Sequence, residues 1–139
     1  MIPPVFVDTS AFLAIENRRD PHHDGALALR KRITGAGRLL PTSDYAPDES
    51  YTIIRHRAGH RIAVGFGDDI RVSGGVRVES VTPEMIEQAW AAFKRFADKD
   101  FSFTDCTSFV LMRRLGLRDA FAFDGHFTQA GFVELRSRP

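Results

Sequence analysis

The chain has 139 residues, of which 43% are hydrophobic and 27% charged, and 19 Lys and Arg nearly balance 18 Asp and Glu for a formal net charge of +1. This composition predicts one domain, residues 1–139, whose core needs no disulfides, and the single Cys106 excludes a disulfide framework or a cysteine-based zinc cluster. No apolar run approaches the roughly 20 residues of a membrane span, and no secretory signal is recognisable, so we expect a cytoplasmic protein with no membrane partner.

Short apolar segments alternate with longer segments of helical periodicity, which is typical of α/β proteins with a mainly parallel sheet. The predicted strands, in chain order, are 5–7, 38–42, 76–81, 120–123 and 132–135. The predicted helices are 8–18, 24–33, 46–57, 83–97 and 105–115. The Gly- and Asp-rich stretch 65–75 is predicted as a loop. We therefore expect a three-layer α/β/α sandwich around a roughly five-stranded sheet.

The helix that begins at Pro83 has the clearest signals. Thr82 is a suitable N-cap, Pro83 is favoured at the first helical position, and Glu84 lies near the positive end of the helix dipole. Apolar residues then recur at helical spacing and are expected to face the core or an interface. They are Ile86, Ala89, Trp90, Phe93 and Ala97.

Four acidic residues fall where predicted strands end or the following helices begin. Asp8 directly follows the first strand, Asp124 directly follows the fourth, Glu49 lies in the first turn of the helix after the second, and Asp105 begins a later helix. Ligands of open parallel sheets bind beyond the carboxyl ends of the strands, so these side chains are expected to meet at one edge. Taken singly, the acids at helix starts are equally well explained as caps.

Four carboxylates at one edge would repel one another and raise one another's pKa, so the arrangement requires a cation. Mg²⁺ or Mn²⁺ suits an all-oxygen site, whereas zinc favours His or Cys. The five histidines have no metal-ligand spacing, and His126, two residues after Asp124, is expected to contact substrate or cap the next turn. Basic residues cluster at several points, and the cluster 55–61 can either flank the acids and contact phosphates or consist of solvated side chains on helix faces.

Four segments of the sequence resemble the motifs of PIN-domain nucleases, in the family's order. They are VFVDTSAFL from Val5, TSDY with a following Asp-Glu pair from Thr42, FSFTDCTSF from Phe101 and AFAFDGHF from Ala120. The small VapC-type toxins of toxin–antitoxin pairs are the most similar members. Each segment alone is weakly specific, but four in order at these spacings are a strong signal.

The resemblance implies a divalent-metal-dependent endoribonuclease that hydrolyses RNA phosphodiester bonds and acts as the toxin of a toxin–antitoxin pair. The residues that match the family's acidic positions, and are expected to hold Mg²⁺ or Mn²⁺, are Asp8, Glu49, Asp105 and Asp124. A small VapB-type antitoxin and a homodimer are also implied. The apolar candidates for an antitoxin groove, which core packing explains equally simply, are Phe12, Leu13, Tyr51, Ile53 and Ile54.

The chemistry of phosphodiester hydrolysis suggests a role for each acid. Asp8 is expected to be central, Asp105 and Asp124 to complete the ion shell, and Glu49 to hold an ion or orient the attacking water. Asp48, beside Glu49, is an alternative inward-facing acid. The hydroxyl groups that can support these carboxylates, or simply cap helices, belong to Thr9, Ser10 and Thr104.

Other functions remain open from the sequence alone. One is a PIN-domain RNA-processing nuclease outside any toxin–antitoxin pair, and another is a non-catalytic module that binds RNA or a partner. A haloacid-dehalogenase-like phosphatase is disfavoured because Ser10, not an acid, lies two residues after Asp8. A receiver domain is disfavoured because no lysine follows a late strand; the lysines are Lys31, Lys94 and Lys99.

Overall fold

The structure is a computed structural model that describes residues 2–72 and 75–136, and within these ranges the chain forms five strands and seven helices. The strands are β1 Val5–Val7, β2 Leu40–Ser43, β3 Val76–Glu79, β4 Asp119–Phe121 and β5 Val133–Glu134. The helices are α1 Thr9–Glu16, α2 His23–Gly35, α3 Tyr45–Ala58, α4 His60–Val72, α5 Pro83–Arg95, α6 Phe103–Leu115 and α7 His126–Gln129.

All strand pairs in these ranges are parallel. β4 pairs with both β1 and β5, and β2 pairs with β3. Two hydrogen bonds join β1 to the segment of β2: the Val5 N–H donates to the Leu39 carbonyl at 2.9 Å, and the Thr42 hydroxyl donates to the Val7 carbonyl at 2.6 Å. The strand order across the molecule is therefore β3-β2-β1-β4-β5, with every carboxyl end at the same edge.

The pleat of the central strands divides the apolar side chains between two cores. Val5, Val7 and Phe121 face one core, which α1 to α4 cover. Phe6 and Ala120 face the other core, which α5, α6 and α7 cover. The expected α/β/α sandwich is confirmed, although its strands are short.

The prediction of a loop over 65–75 is wrong for most of its length, because α4 extends to Val72; residues 73 and 74 lie outside the described residues. Gly65 and Gly67 lower intrinsic helix propensity, but Ala63, Phe66 and Gly67 are buried against the rest of the molecule. A Cβ on Gly67 would lie 3.2 Å from the Tyr51 ring on α3, so the glycine permits close packing of the two helices.

The predicted buried face of α5 is displaced around the helix. Ala89 is buried, but the core contacts beside it come from Met85, Ala92 and Phe96. Trp90 and Phe93, which the pattern assigned to the core or an interface, are 49% and 40% exposed. One apolar face of α5 thus packs in the core, and a second apolar face remains at the surface.

The bounds of the other predicted elements differ from the observed ones by at most two residues. The larger physical difference is at α6, which begins at Phe103 because Ser102 forms a capping box with Asp105. Asp105 therefore lies in the first helical turn instead of opening it. Within residues 2–72 and 75–136, no helix combines the length and the apolar character that crossing a membrane requires.

Candidate metal centre

Asp8 lies where β1 ends and α1 begins. Its Oδ2 accepts hydrogen bonds from the Ser10 backbone N–H at 3.0 Å and from the Ser10 hydroxyl at 2.6 Å, so Asp8 is the N-cap of α1. The Ser10 hydroxyl oxygen in turn accepts a hydrogen bond from the Phe123 N–H at 3.0 Å. Ser10 therefore ties the Asp8 carboxylate to the segment that precedes Asp124.

The Asp8 carboxylate is in an unfavourable environment for a negative charge. The residue is 1% exposed, and its Oδ1 has no hydrogen-bond partner in the part of the chain that the structure describes. Burial, followed by the negative charges of Asp124 and Asp105, raises the pKa of Asp8 to about 8, against the weaker opposing effect of the Ser10 hydrogen bonds. A buried oxygen acceptor of this kind is suited to a cation ligand.

Asp105 is placed by the capping box of α6. Its Oδ2 accepts a hydrogen bond from the Ser102 N–H at 3.0 Å, and the Ser102 hydroxyl accepts one from the Asp105 N–H at 2.9 Å. The same Oδ2 lies 2.7 Å from Nδ1 of His126. Burial is the main reason that the pKa of Asp105 is raised, and the charge of Asp124 adds to the effect.

Asp124 and His126 come from the turn between β4 and α7. Gly125 adopts a φ of 81°, and the His126 N–H donates to Oδ1 of Asp124 at 3.1 Å. The Nδ1 atom of His126 is 3.4 Å from Oδ2 of Asp124. One ligand atom from each of Asp105, Asp124 and His126 lies within 4.8 Å of the other two.

The acidic side chains around His126 change its pKa. Burial, the largest single influence, acts to lower its pKa. The hydrogen bond to Asp105 and the charges of Asp124, Asp105 and Asp8 together outweigh burial, so the pKa of His126 is raised. The structure thus brings three of the four predicted acids together and adds a histidine to them.

Glu49 is the predicted acid that is absent from this group. It is half-buried on α3, and neither the described ligand atoms that lie within 4.8 Å of one another nor the charges that raise the pKa of Asp8 include it. It shares a helix face with Ala46, whose carbonyl accepts a hydrogen bond from the Thr9 hydroxyl at 3.4 Å. Its neighbour Asp48 is exposed.

His126 was not expected among the metal ligands, and the structure places it beside Asp105 and Asp124. Its separation of two residues from Asp124 was the available signal, since a turn of that length can return the imidazole to the carboxylate. The expectation that the basic cluster flanks the acids stays a prediction: Arg55, His56 and Arg57 lie in the last turn of α3, and His60 and Arg61 lie in the first turn of α4.

The expected antitoxin groove also differs, because three of its candidates belong to the first core. Leu13 and Ile54 are 8% and 0% exposed and pack inside that core, whereas Phe12, at 4% exposed, belongs to the core and also lines a cleft beside α1. Tyr51 and Ile53 are only partly buried and pack against that core.

The donor set fits a divalent cation of the Mg²⁺ or Mn²⁺ type. Oxygen ligands predominate, and Oδ1 of Asp8 is a buried acceptor without a partner among the described residues. Three carboxylates in this space repel one another, and a cation relieves that repulsion.

A model of the PIN domain matches residues 5–133, and the chain belongs to this family. The resemblance that the four sequence segments indicated is thereby confirmed.

The relatives extend the comparison to the VapC toxins. The chain is 43% identical over 133 residues to "23S rRNA-specific endonuclease VapC20" of Mycobacterium tuberculosis, in strains CDC 1551 / Oshkosh and ATCC 25618 / H37Rv. That alignment covers 95% of this chain and 98% of the relative. A crystal structure of VapC20 from the same organism, described as a sarcin–ricin loop cleaving toxin, superposes with a TM-score of 0.86 at 42% identity and the same coverage.

Proposed function

We propose that the protein is an endoribonuclease toxin of the VapC type, which hydrolyses RNA phosphodiester bonds with the help of a divalent cation. The observation that carries this proposal is the cluster of Asp105, Asp124 and His126, together with Asp8, which Ser10 links to the segment before Asp124 and whose buried Oδ1 no group in the described residues satisfies. The membership in the PIN family and the VapC20 relatives support the same reaction.

Asp8, Asp105 and Asp124 would hold the cation, and Mg²⁺ and Mn²⁺ are both compatible with their oxygen atoms. When bound, such a cation offsets the charge that develops on the phosphate and makes water a better nucleophile at neutral pH. Ser10 keeps the Asp8 carboxylate in one orientation through its 2.6 Å hydrogen bond. Glu49, at the flank of this group, would hold a second ion or orient the attacking water.

We propose a ribosomal RNA loop as the substrate. The VapC20 relatives are named for 23S rRNA and the VapC20 crystal structure for the sarcin–ricin loop, and the identity extends over 95% of this chain. Arg55 and Arg57 in the last turn of α3, and Arg61 in the first turn of α4, would contact RNA phosphates.

The test is to incubate purified protein with total RNA and to sequence the fragment ends, with and without EDTA. Attack by water leaves a 5′-phosphate and a 3′-hydroxyl, so we expect these ends at one position in the large ribosomal RNA, and none with EDTA. Cleavage that persists in EDTA would contradict the cation dependence. Cleavage of another RNA class alone would contradict the substrate but leave the reaction intact.

An antitoxin partner of the VapB type follows from the toxin assignment. A cleft of about 330 Å³ between α1, α2 and α4 is lined by apolar side chains that include Ile15 and Ile70, with Arg30 at its border. This cleft would take an apolar segment of the antitoxin. An RNA substrate and such a partner would place the protein in the cytoplasm.

A homodimer is also proposed, through the second apolar face of α5. Trp90 and Phe93 stack with ring centroids 5.8 Å apart, and both rings pack at about 6 Å against Phe103 at the start of α6. Large exposed aromatic side chains in one patch are typical of interfaces. A second copy of the chain would cover them beside the metal centre.

A further inference from the structure

We propose that His126 is a direct ligand of the cation, so that the site contains nitrogen as well as oxygen and prefers Mn²⁺ to Mg²⁺. This inference rests on the proposed function, because it concerns the same cation. The sequence predicts a site of four carboxylates, which bind only through oxygen. The proposed site also contains the imidazole nitrogen of His126.

The placement of His126 is the first argument. Its Nδ1 is 2.7 Å from Oδ2 of Asp105 and 3.4 Å from Oδ2 of Asp124, and the three residues offer ligand atoms within 4.8 Å of one another. An ion shared by the two carboxylates would therefore lie within reach of this nitrogen. Binding the ion would replace the hydrogen bond between His126 and Asp105.

The second argument is independent of His126. Oδ1 of Asp8 is buried and lacks a hydrogen-bond partner among residues 2–72 and 75–136, and the neighbouring charges that act on it are those of Asp124 and Asp105. A carboxylate oxygen left in this state is destabilising unless it receives a proton or a cation. The proposed ion position is at the cluster formed by α6 and the turn before α7, and the unsatisfied oxygen at the end of β1 supports it.

Ligand chemistry then gives the preference between metals. Mg²⁺ takes oxygen ligands almost exclusively and retains waters, whereas imidazole binds later divalent metals readily. With His126 as a ligand, Mn²⁺ gains more than Mg²⁺ from this site. Glu49, which is not in the described group of ligand atoms, is left for a second ion or a water.

The direct test is pulsed EPR on Mn²⁺ bound to the full chain. A coordinated imidazole gives ¹⁴N modulation in the spin echo, which we expect in the wild type and not in His126→Gln. The glutamine removes the ring nitrogen but keeps an N–H donor for Asp105. A loss of modulation is therefore not explained by the loss of a hydrogen bond to the Asp105 carboxylate. The exposed His56 provides the matched control, and His56→Gln should retain the modulation.

Calorimetric titration provides the second readout. We expect His126→Gln to weaken Mn²⁺ binding at least about tenfold and Mg²⁺ binding by less than about threefold, with unfolding curves showing that the variant remains folded. Bound Mn²⁺ without ¹⁴N modulation, or equal losses for both metals, would overturn the role of His126 and leave the carboxylate site intact. Failure of the wild type to bind either metal would overturn the proposed function as well.

Discussion

Asp8 couples its ionisation to the stability of the metal-free protein. Burial beside Asp124 and Asp105 raises its pKa to about 8, whereas in the unfolded chain the carboxyl has its ordinary value near 3.8. The folded state therefore binds the proton more tightly, and the unfolding free energy falls as the pH rises between these two values. A bound cation favours the ionised carboxylate and opposes this loss.

The prediction concerns Asp8→Asn in EDTA. Asparagine has no proton to lose, so the stability of the variant relative to the wild type should increase from pH 5 to pH 8, by at most about 4 kcal/mol over three pH units. Urea unfolding at several pH values measures this difference. Parallel pH dependences for the two proteins would show that Asp8 does not hold its proton in the folded state.

The sequence predicts a site residue well when the neighbouring residues along the chain determine its position. Asp8 follows a strongly apolar strand, so its position at the sheet edge is readable from the sequence. The position of Glu49 depends on the rotation of α3, which packing determines. The position of His126 depends on the backbone conformation of the turn at Gly125. The imidazole meets Asp105, which is 21 residues earlier, and no local pattern reports such a contact.

At the scale of the elements, the start of α6 links helix capping to the metal centre. Ser102 caps this helix, and Asp105 occupies the third position of the capping box. Thr82 caps α5 in a comparable way, by accepting a hydrogen bond from the Met85 N–H at 3.2 Å, but lies on a helix without a site acid. The two caps form a matched pair.

Ser102→Ala and Thr82→Ala should each reduce the unfolding free energy by about 1 kcal/mol. Only Ser102→Ala should also weaken divalent-cation binding, by about tenfold, because its loss frees the first turn that carries Asp105. Chemical denaturation and calorimetry measure the two effects. Equal cation affinities in both variants would mean that the cap serves the helix alone.

For α4 and α5, sequence patterns alone do not predict the helix or its buried face. The cap and proline of α5 fix where the helix begins, but two apolar faces compete in its sequence. The core takes the face with Ala89 and Phe96, and the pattern does not decide between this face and the one with Trp90. In α4, burial of Phe66 and the close approach at Gly67 outweigh the low helix propensity of glycine.

At the scale of the whole molecule, the unused apolar face of α5 predicts the oligomeric state. We expect wild-type protein to elute in gel filtration at the mass of two chains, and Phe93→Glu to elute at the mass of one, because a charge in the centre of the patch opposes its burial. Ile62→Glu changes a side chain with the same degree of exposure on α4, 39% against 40%, and should remain dimeric. A wild type that elutes as one chain would contradict the dimer.

The parallel sheet brings Asp8 and Asp124 to one edge although 116 positions separate their numbers, and α6 adds Asp105 from a third part of the chain. The central claim is that this convergence performs cation-dependent cleavage. It is tested most directly by the single-turnover cleavage rate of Asp8→Asn on an RNA hairpin with saturating Mn²⁺, beside Asp48→Asn as the exposed control. We predict a rate at least about a thousandfold lower for Asp8→Asn, about 4 kcal/mol in the barrier, and a wild-type rate for the control. An Asp8→Asn rate within threefold of the wild type would contradict the claim.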